Sequence, residues 1–244
     1  MKTNWTRFVV ASDVHGDMQD EKAVNALFKF LKIWKPEIRI FAGDLFDFRP
    51  LRGGASEDEK RESMSKDYEM GMEFLHQFAP QFVLRGNHDE RLWWLRDRAN
   101  GVASDHAGHL VNEFEGECKR LKARLLPYHK RDGVLRIGHL KVLHGFSAGV
   151  YATRQTALVY GASLLGHTHT VDEHAIPGLE RRVARSIGCL CKLDMQYNER
   201  QPSSLRHAHG FAYGVINKAS GAYHVFQAEC VKGSWILPSD IVQL

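Results

Sequence analysis

Five short blocks of the sequence combine aspartate, asparagine and histidine in patterns that could bind metal ions. They are Asp13-Val14-His15, Gly43-Asp44-Leu45-Phe46-Asp47, Gly86-Asn87-His88-Asp89, the isolated His144, and Gly166-His167-Thr168-His169. Carboxylate, amide and imidazole donors together suit Mn, Fe or Zn rather than metals that require soft thiolates. Any one block alone is a weak signal, so the elements that position the blocks decide whether they act together.

Each block follows an apolar run that predicts a buried β-strand. The predicted strands are Phe8–Ser12, Ile38–Ala42, Gln81–Arg85, Leu140–Leu143 and Ala162–Leu165. Open α/β sheets place their ligand sites at the C-terminal ends of the strands, where these blocks begin. Alternate residues of an extended segment point the same way, so Asp13 and His15 can address one metal. We therefore predict that the five blocks meet at one site.

The segments between these strands predict helices of an α/β protein. Asp20 is a predicted N-cap for a helix that Pro36 stops. Further helices are predicted at 64–78, 90–98, 112–126 and 153–160, with an irregular connection at 100–110. Residues 134–143 predict a hairpin. Predicted strands at 181–187, 210–217 and 222–226 make the C-terminal third mostly antiparallel β. Because we find no linker or repeat, we predict a single domain over residues 1–244.

The composition is that of an ordinary globular protein, with 43% hydrophobic and 25% charged residues among 244. The net charge of +4 suits a phosphate-bearing partner but is too small to predict nucleic-acid binding by itself. No apolar run is long enough for a membrane span, and Met1–Trp5 shows no signal-peptide hydrophobic region, so we expect neither feature. The four cysteines lack CxxC spacing, so we expect mostly buried, reduced thiols and a cytoplasmic location.

The order of the five blocks resembles the calcineurin-like metallophosphoesterase superfamily. The family pattern is Asp-x-His, Gly-Asp-x-x-Asp, Gly-Asn-His-Asp/Glu, a later His and Gly-His-x-His, and it spans about two thirds of this chain, from Asp13 to His169. The resemblance implies a four-layer α/β/β/α sandwich with mixed sheets. It also implies a phosphoester hydrolase with two divalent metal ions, Mn first, and Fe, Zn, Ni or Mg as alternatives.

The resemblance also implies a role for each site residue. One metal ion would be held by Asp13, His15, Asp44 and His169. The second would be held by Asp44, Asn87, His144 and His167, with Asp44 bridging the two ions. A hydroxide bridging the ions would attack phosphorus. His88 would protonate the leaving oxygen from a pKa near its ordinary value, and Asp47 would orient His88. For Asp89, the sequence leaves two roles open, a function in the site or a loop cap.

The substrate is less well defined by the sequence. We favour a phosphodiester, either a nucleotide or nucleic acid, because the blocks around Asp44 resemble SbcD-type nucleases and related phosphodiesterases. The alternatives are a phosphomonoesterase or a serine/threonine-type protein phosphatase, although Arg49 is displaced by one position from the arginine of those phosphatases. A remote alternative is a catalytically inactive binding scaffold. The oligomeric state stays open.

Several residues near the blocks could contact such a substrate. The arginines are candidates for gripping a phosphate: Arg49, Arg52, Arg85 and Arg91. One helical face cannot bury both Trp93 and Trp94, so we expect one to pack while the other lies under a loop or forms a base-stacking surface. His207 and His209 are left open, between structural roles and a place in the pocket.

Overall fold

The computed structural model describes residues 4–180, 182–194 and 202–235, which form two β-sheets and the helices that flank them. The strands are β1 (Trp5–Ala11), β2 (Ile38–Phe41), β3 (Phe82–Leu84), β4 (Arg124–Leu126), β5 (Leu135–Ile137), β6 (Leu140–Leu143), β7 (Ser163–Leu165), β8 (Val171–Ile176), β9 (Arg182–Ile187), β10 (Gly210–Asn217), β11 (Tyr223–Val231) and β12 (Ser234–Trp235). The α-helices are α1 (Glu21–Trp34), α2 (Met64–Phe78), α3 (Glu90–Arg98), α4 (Val102–Arg120) and α5 (Ala152–Tyr160).

The larger sheet contains the first three strands predicted from the sequence. Its strand order is β12-β11-β10-β1-β2-β3-β4. Strands β1 to β4 run parallel, whereas β10 is antiparallel to β1 and β11 is antiparallel to β10. The strand–helix–strand run of β1, α1 and β2 is therefore a parallel crossover. As a result, β1, β2 and β3 all present their C-terminal ends at one edge.

The smaller sheet has the strand order β5-β6-β7-β9-β8. The predicted hairpin is confirmed as the antiparallel pair β5 and β6, and β6, β7 and β9 run parallel. The antiparallel pairs β8–β9 and β10–β11 confirm the mostly antiparallel C-terminal third. Of the predicted strand at 181–187, Arg181 lies outside the described residues.

The sequence prediction was wrong around residues 100–126. The irregular connection is instead the first half of α4, and the end of the predicted helix is β4. The buried stripe of α4 starts inside the segment predicted to be irregular, at Ala107, and continues through Val111, Phe114 and Cys118. Lys122 then takes a positive φ of 56° and turns the chain, so that β4 pairs in parallel with β3. Edge pairing of a three-residue strand is a tertiary effect that overrides local helical periodicity.

The helix ends follow the predicted chemistry. Asp20 Oδ1 accepts a hydrogen bond from the Ala23 N–H at 2.9 Å, which confirms Asp20 as the N-cap of α1. Ser63 Oγ caps α2 by accepting from the Lys66 N–H at 3.2 Å. Helix α1 ends with Lys35 in the left-handed region at φ 47°, directly before Pro36. Within the described part of the chain, no helix has both the length and the apolar character needed to span a bilayer.

Apolar side chains fill three spaces between four layers. Between the sheets, Phe8, Val10 and Ile40 of the larger sheet meet Val142 and Leu164 of the smaller one. The outer face of the larger sheet packs against α1, α2 and α4. On the smaller sheet, Leu143, Leu165 and Ala184 pack against Ala157 of α5. This arrangement confirms the predicted α/β/β/α sandwich with mixed sheets.

Candidate metal centre

The Asp, Asn and His blocks lie where the C-terminal ends of strands from both sheets meet. Strands β1, β2 and β3 lead into Asp13, Asp44 and Asn87, while β6 and β7 lead into His144 and His167. Five of these polar residues have a positive φ, namely Asp13 (56°), His15 (54°), Asp44 (55°), His167 (67°) and His169 (55°). Left-handed backbone at a non-glycine residue costs about 1–3 kcal/mol and concentrates at functional sites. The strain at this sheet edge therefore points to a function rather than to folding.

Asp13, His15, Asp44 and His169 form the first group of buried side chains. The imidazole rings of His15 and His169 meet edge to face, with their Nε2 atoms 3.1 Å apart. His169 Nε2 lies 3.3 Å from Asp13 Oδ1. His15 Nε2 lies 3.8 Å from Asp44 Oδ2. Nitrogen and oxygen donors from both sheets thus converge on one small volume.

Asp44 also borders a second group, formed with Asn87, His144 and His167. His144 Nε2 lies 3.2 Å from Asp44 Oδ2 and 3.0 Å from Asn87 Oδ1. His144 Nδ1 donates to the Ala42 carbonyl at 2.9 Å, which keeps its proton on Nδ1 and turns Nε2 toward the group. The potential ligand atoms of Asp44, His144 and His167 lie within 4.8 Å of one another. One carboxylate is therefore shared between the two groups.

His88 lies beside the first group, and Asp47 fixes the orientation of its ring. His88 Nδ1 donates to Asp47 Oδ1 at 2.5 Å, and its backbone N–H donates to Asp44 Oδ1 at 2.9 Å. The His88 ring meets the edge of the His15 ring at a centroid distance of 4.6 Å. Arg91 donates to the Asp47 carbonyl at 2.6 Å and holds its guanidinium 3.3 Å from His88 Nε2. These contacts leave the His88 ring little freedom.

Burial and mutual charge set the ionisation of these groups. Burial raises the pKa of Asp44, but the charges of His144 and His88 outweigh it and hold that pKa well below its usual range. Burial lowers the pKa of His144, but the Asp44 carboxylate outweighs it and raises the pKa to about 9. Burial and the charge of His144 lower the pKa of His167 to about 4. Burial also lowers the pKa of His88, with Asp44 and Asp47 offsetting part of the effect, rather than leaving it near the ordinary value expected from the sequence.

Asp89 anchors the loops that carry the site. Its carboxylate accepts hydrogen bonds from the backbone N–H groups of Asp44 (2.9 Å), Phe46 (3.0 Å) and Gly86 (2.7 Å). Burial, and then the charge of Asp44, raise the pKa of Asp89 to about 7. Of the two roles left open by the sequence, the contacts favour the structural one, because Asp89 ties the loop after β2 to the loop after β3.

Asp67 is a second anchor, and sequence reasoning missed it. Its carboxylate accepts from the N–H groups of Asp47 (3.1 Å) and Phe48 (2.6 Å). It also fills the space beside Gly16, where a Cβ would come within 1.8 Å of Asp67 Oδ1. An aspartate in the first turn of α2 looks like an ordinary helix-dipole residue, so the sequence carried no signal for this contact.

Replacing Asp67 with alanine is expected to lower the free energy of unfolding by about 1–3 kcal/mol, because two buried N–H groups lose their acceptor. Urea denaturation at pH 7.5 measures the change. Asp105→Ala is the matched control, since Asp105 occupies the first turn of α4 but is exposed. Equal stability of the two variants would contradict the anchoring role.

A family model described as calcineurin-like phosphoesterase matches residues 6–232. The chain belongs to this family. The match includes all five blocks and confirms the resemblance carried by their order. None of the curated proteins matches this family member in sequence.

Several solved structures match this calcineurin-like phosphoesterase at low sequence identity. Vps29 from Chaetomium thermophilum is 12% identical, with a TM-score of 0.51 and coverage of 95% of this chain and 92% of that one. A single mutant of Vps29 from Entamoeba histolytica is 12% identical, with a TM-score of 0.48 and coverage of 94% and 96%. An archaeal phosphodiesterase is 11% identical, with a TM-score of 0.43 and coverage of 91% and 99%. At 12% identity, the likeness to Vps29 from Chaetomium thermophilum supports the fold alone.

The donor set of this calcineurin-like phosphoesterase fits the pair of divalent metal ions that the family uses. His15 is buried, and its Nδ1 lies 3.4 Å from Asp47 Oδ1, whereas its Nε2 faces His169 and Asp44. Candidate ligand groups include His15 with Asp44 and His88, and Asp44 with His144 and His167. These two groups share Asp44, and their donors are the imidazole and carboxylate types suited to Mn, Fe or Zn.

The four candidate arginines differ in what they contact. Arg49 is bound in a network with Asp17 at 2.7 Å, Asp47 at 3.1 Å and Glu62. Arg52 pairs with Glu59 at 2.6 Å, and Arg85 pairs with Glu90 at 3.2 Å. Of the four, Arg91 is the one whose guanidinium reaches His88.

The two adjacent tryptophans separate as the sequence predicts. Trp93 is buried and meets the ring of Phe114 edge-on, at a centroid distance of 6.0 Å. Trp94 is 51% exposed, and the Arg98 guanidinium lies 5.2 Å from its ring centroid. Packing by Trp93 alone is therefore confirmed.

Further residues near the site come from the segment after β9. The four cysteines are free thiols, and Cys118, Cys189 and Cys191 are buried. Cys191 Sγ lies 3.8 Å from His169 Nδ1, a contact that sequence reasoning missed. The His207 ring lies 5.1 Å from the His169 ring, and His209 Nε2 donates to the Cys191 carbonyl at 2.9 Å. The sequence did contain a signal for this segment. It follows the C-terminal end of a predicted strand, and because β9 runs parallel to β7, both strands end at the edge that carries the site.

Proposed function

We propose that this protein is a dinuclear-metal-dependent phosphoester hydrolase. The first metal ion would be held by Asp13, His15, Asp44 and His169. The second would be held by Asp44, Asn87, His144 and His167. The observation that carries this proposal is the position of Asp44 Oδ2, 3.8 Å from His15 Nε2 and 3.2 Å from His144 Nε2. A carboxylate in that position can serve two cations at once.

The ions would polarise the phosphate oxygens and generate a nucleophile from water at neutral pH. We assign Mn first, with Fe, Zn, Ni or Mg as alternatives, because imidazole and carboxylate donors are mixed. The lowered pKa values of Asp44 and His167 suit these ligand roles, since metals bind deprotonated side chains. His144, whose pKa the Asp44 carboxylate raises to about 9, would release a proton on binding.

We assign His88 as the general acid that protonates the leaving oxygen. Its Nδ1–H is committed to Asp47 at 2.5 Å, so Nε2 is the atom available to the substrate. Asp47 orients the ring and supports its protonated form, which burial disfavours. The Arg91 guanidinium, 3.3 Å from Nε2, would turn from that nitrogen to a phosphate oxygen beside the leaving group when substrate binds.

We favour phosphodiesters, either nucleotides or nucleic acid, as substrates. The net charge of +4 and the Arg91 guanidinium at the edge of the site support an anionic substrate. The alternative of a serine/threonine-type protein phosphatase is weakened by Arg49, because its ion pairs with Asp17, Asp47 and Glu62 occupy the guanidinium that would grip phosphate. A phosphomonoesterase and an inactive scaffold are the remaining alternatives.

The experiment that tests this function is a rate comparison on Mn²⁺-loaded protein. The substrates are bis-p-nitrophenyl phosphate, p-nitrophenyl phosphate and a short single-stranded DNA, with His88→Ala as the control. Faster turnover of the diester and the DNA supports a phosphodiesterase or nuclease. Preference for the monoester indicates a phosphatase. Metal binding without turnover of any substrate would favour the scaffold.

Removing the metal ions with a chelator is expected to abolish hydrolysis, because both the polarised phosphate oxygens and the nucleophile would depend on divalent cations. Mn²⁺ should restore the rate at least as well as Mg²⁺, since imidazole donors suit Mn²⁺ better. Rates of bis-p-nitrophenyl phosphate hydrolysis after EDTA treatment and back-titration measure this. A strict preference for Mg²⁺ would argue against the ligand set.

We also propose that residues 1–244 form a single domain. The candidate ligands of each metal ion come from both sheets, since Asp13 and Asp44 follow strands of the larger sheet while His144 and His169 follow strands of the smaller one. A site assembled in this way requires the two sheets to fold as one unit.

A further inference from the structure

We propose that Cys191 is a positioning residue for the first metal ion and acts through His169. This inference rests on the proposed function, because His169 is one of the assigned ligands. The Cys191 thiol would accept a hydrogen bond from the His169 Nδ1–H, while Nε2 binds the metal. It would thereby fix both the tautomer and the rotation of the His169 ring.

The two nitrogens of His169 face different partners. Nε2 lies 3.1 Å from His15 Nε2 and 3.3 Å from Asp13 Oδ1, so it points into the first group. Nδ1 has a different partner, Cys191 Sγ, at 3.8 Å. A neutral imidazole that binds metal through Nε2 carries its hydrogen on Nδ1. That hydrogen can therefore be donated to the sulfur.

The sulfur partner distinguishes His169 from other histidines of the site. His144 Nδ1 donates to a backbone carbonyl at 2.9 Å, and His88 Nδ1 donates to a carboxylate at 2.5 Å. Carbonyl and carboxylate groups are the usual outer partners of metal-binding histidines. Within the ranges 4–180, 182–194 and 202–235, Cys191 Sγ is the hydrogen-bond partner found for His169 Nδ1. Loss of the thiol would leave a buried N–H unpaired.

The backbone around Cys191 is fixed against the loops that carry the first group. The Leu190 N–H donates to the Asp13 carbonyl at 3.0 Å, and the Lys192 N–H donates to the Met18 carbonyl at 2.8 Å. His209 Nε2 holds the Cys191 carbonyl at 2.9 Å. With the chain held on both sides and the thiol fully buried, the sulfur has a defined position relative to His169.

Direct coordination by sulfur is the competing interpretation. Cys191 Sγ and ligand atoms of His15 and His169 lie within 4.8 Å of one another. The geometry favours the outer role, because the sulfur faces Nδ1 while Nε2 faces the carboxylate and the second imidazole.

The test is a calorimetric titration of the metal-free, full-length chain with Mn²⁺. We expect Cys191→Ala to weaken one of two binding steps by about 10–100-fold and to leave the other unchanged. Cys191→Ser should recover part of the lost affinity, since the serine hydroxyl can accept the same hydrogen bond from His169. Cys118→Ala is the matched control, because Cys118 is also buried but lies in α4, in the core on the outer face of the larger sheet.

Co²⁺ spectra of the same proteins separate the two interpretations. A sulfur-to-cobalt charge-transfer band in the wild type that disappears in Cys191→Ser would overturn the positioning role, because it requires direct coordination. Equal Mn²⁺ affinities of Cys191→Ala and the wild type would also overturn it. Failure of the wild type to bind any metal would instead overturn the proposed function itself.

Discussion

Replacement of Asp44 by alanine is expected to weaken metal binding at both positions and to reduce hydrolysis by about 10³-fold or more. Asp44 borders both ligand groups, and one of its oxygens also accepts the His88 backbone N–H at 2.9 Å. Several kcal/mol of charge stabilisation would be lost at once, and about 1.4 kcal/mol corresponds to a factor of ten in rate. Metal content by mass spectrometry and calorimetric titration measure the binding, and bis-p-nitrophenyl phosphate turnover measures the rate.

Asp17→Ala is the matched control for Asp44. Asp17 is an aspartate close to the site, but its carboxylate pairs with Arg49 at 2.7 Å and belongs to neither ligand group. This control should bind two metal ions. Two tightly bound ions in Asp44→Ala would refute the shared-ligand assignment and, with it, the dinuclear centre.

Replacement of His88 by alanine is expected to retain both metal ions and to reduce turnover by about 10²–10⁴-fold, the range for loss of a positioned general acid. The His88 ring contacts Asp47 and Arg91, which are not assigned as metal ligands, so its removal should leave both ions in place. The loss should be largest for alkyl esters, whose leaving oxygens need a proton, and smaller for p-nitrophenyl esters, whose leaving group is a stable anion. Turnover of a methyl ester against a p-nitrophenyl ester gives this comparison.

Metal content provides the control for His88→Ala. Because His88 lies with His15 and Asp44 in one candidate ligand group, it could instead be a ligand. Loss of an ion from His88→Ala would assign His88 to coordination. Equal rates of the variant and the wild type on the methyl ester would exclude proton donation by His88.

The five blocks were recognisable in sequence because strand ends and ligand types are local properties. Asp13 and His15 follow an apolar run, and the parallel arrangement of β1, β2 and β3 brings such runs to one edge. Their convergence to within a few ångströms depends on how the sheets pack, which local pattern cannot report. The end of α4 was predicted wrongly for a related reason, because the pairing of β4 with β3 is a long-range contact.

The roles of Asp67 as a loop anchor and of Cys191 as a partner of His169 could not be predicted from the sequence, for a different reason. Asp67 acts through side-chain contacts to backbone groups about twenty residues away, and any aspartate in a helix start looks the same. Cys191 is 22 residues from His169 in sequence, and the two meet because β7 and β9, the strands that precede them, run parallel. Such partners depend on side-chain direction at loops, where residue type and period carry little information.

The convergence of both sheets on one set of candidate ligands has a thermodynamic consequence. Contacts such as Asp13 with His169 and Asp44 with His144 join the sheets at their C-terminal edge, and the unfolded chain lacks this arrangement. Ions that bind only the folded protein would act as a reversible cross-link between the sheets. At a metal concentration 100 times the dissociation constant, a single ion would add about 2.7 kcal/mol to the stability of the fold. The midpoint of thermal unfolding would then report metal availability as well as sequence.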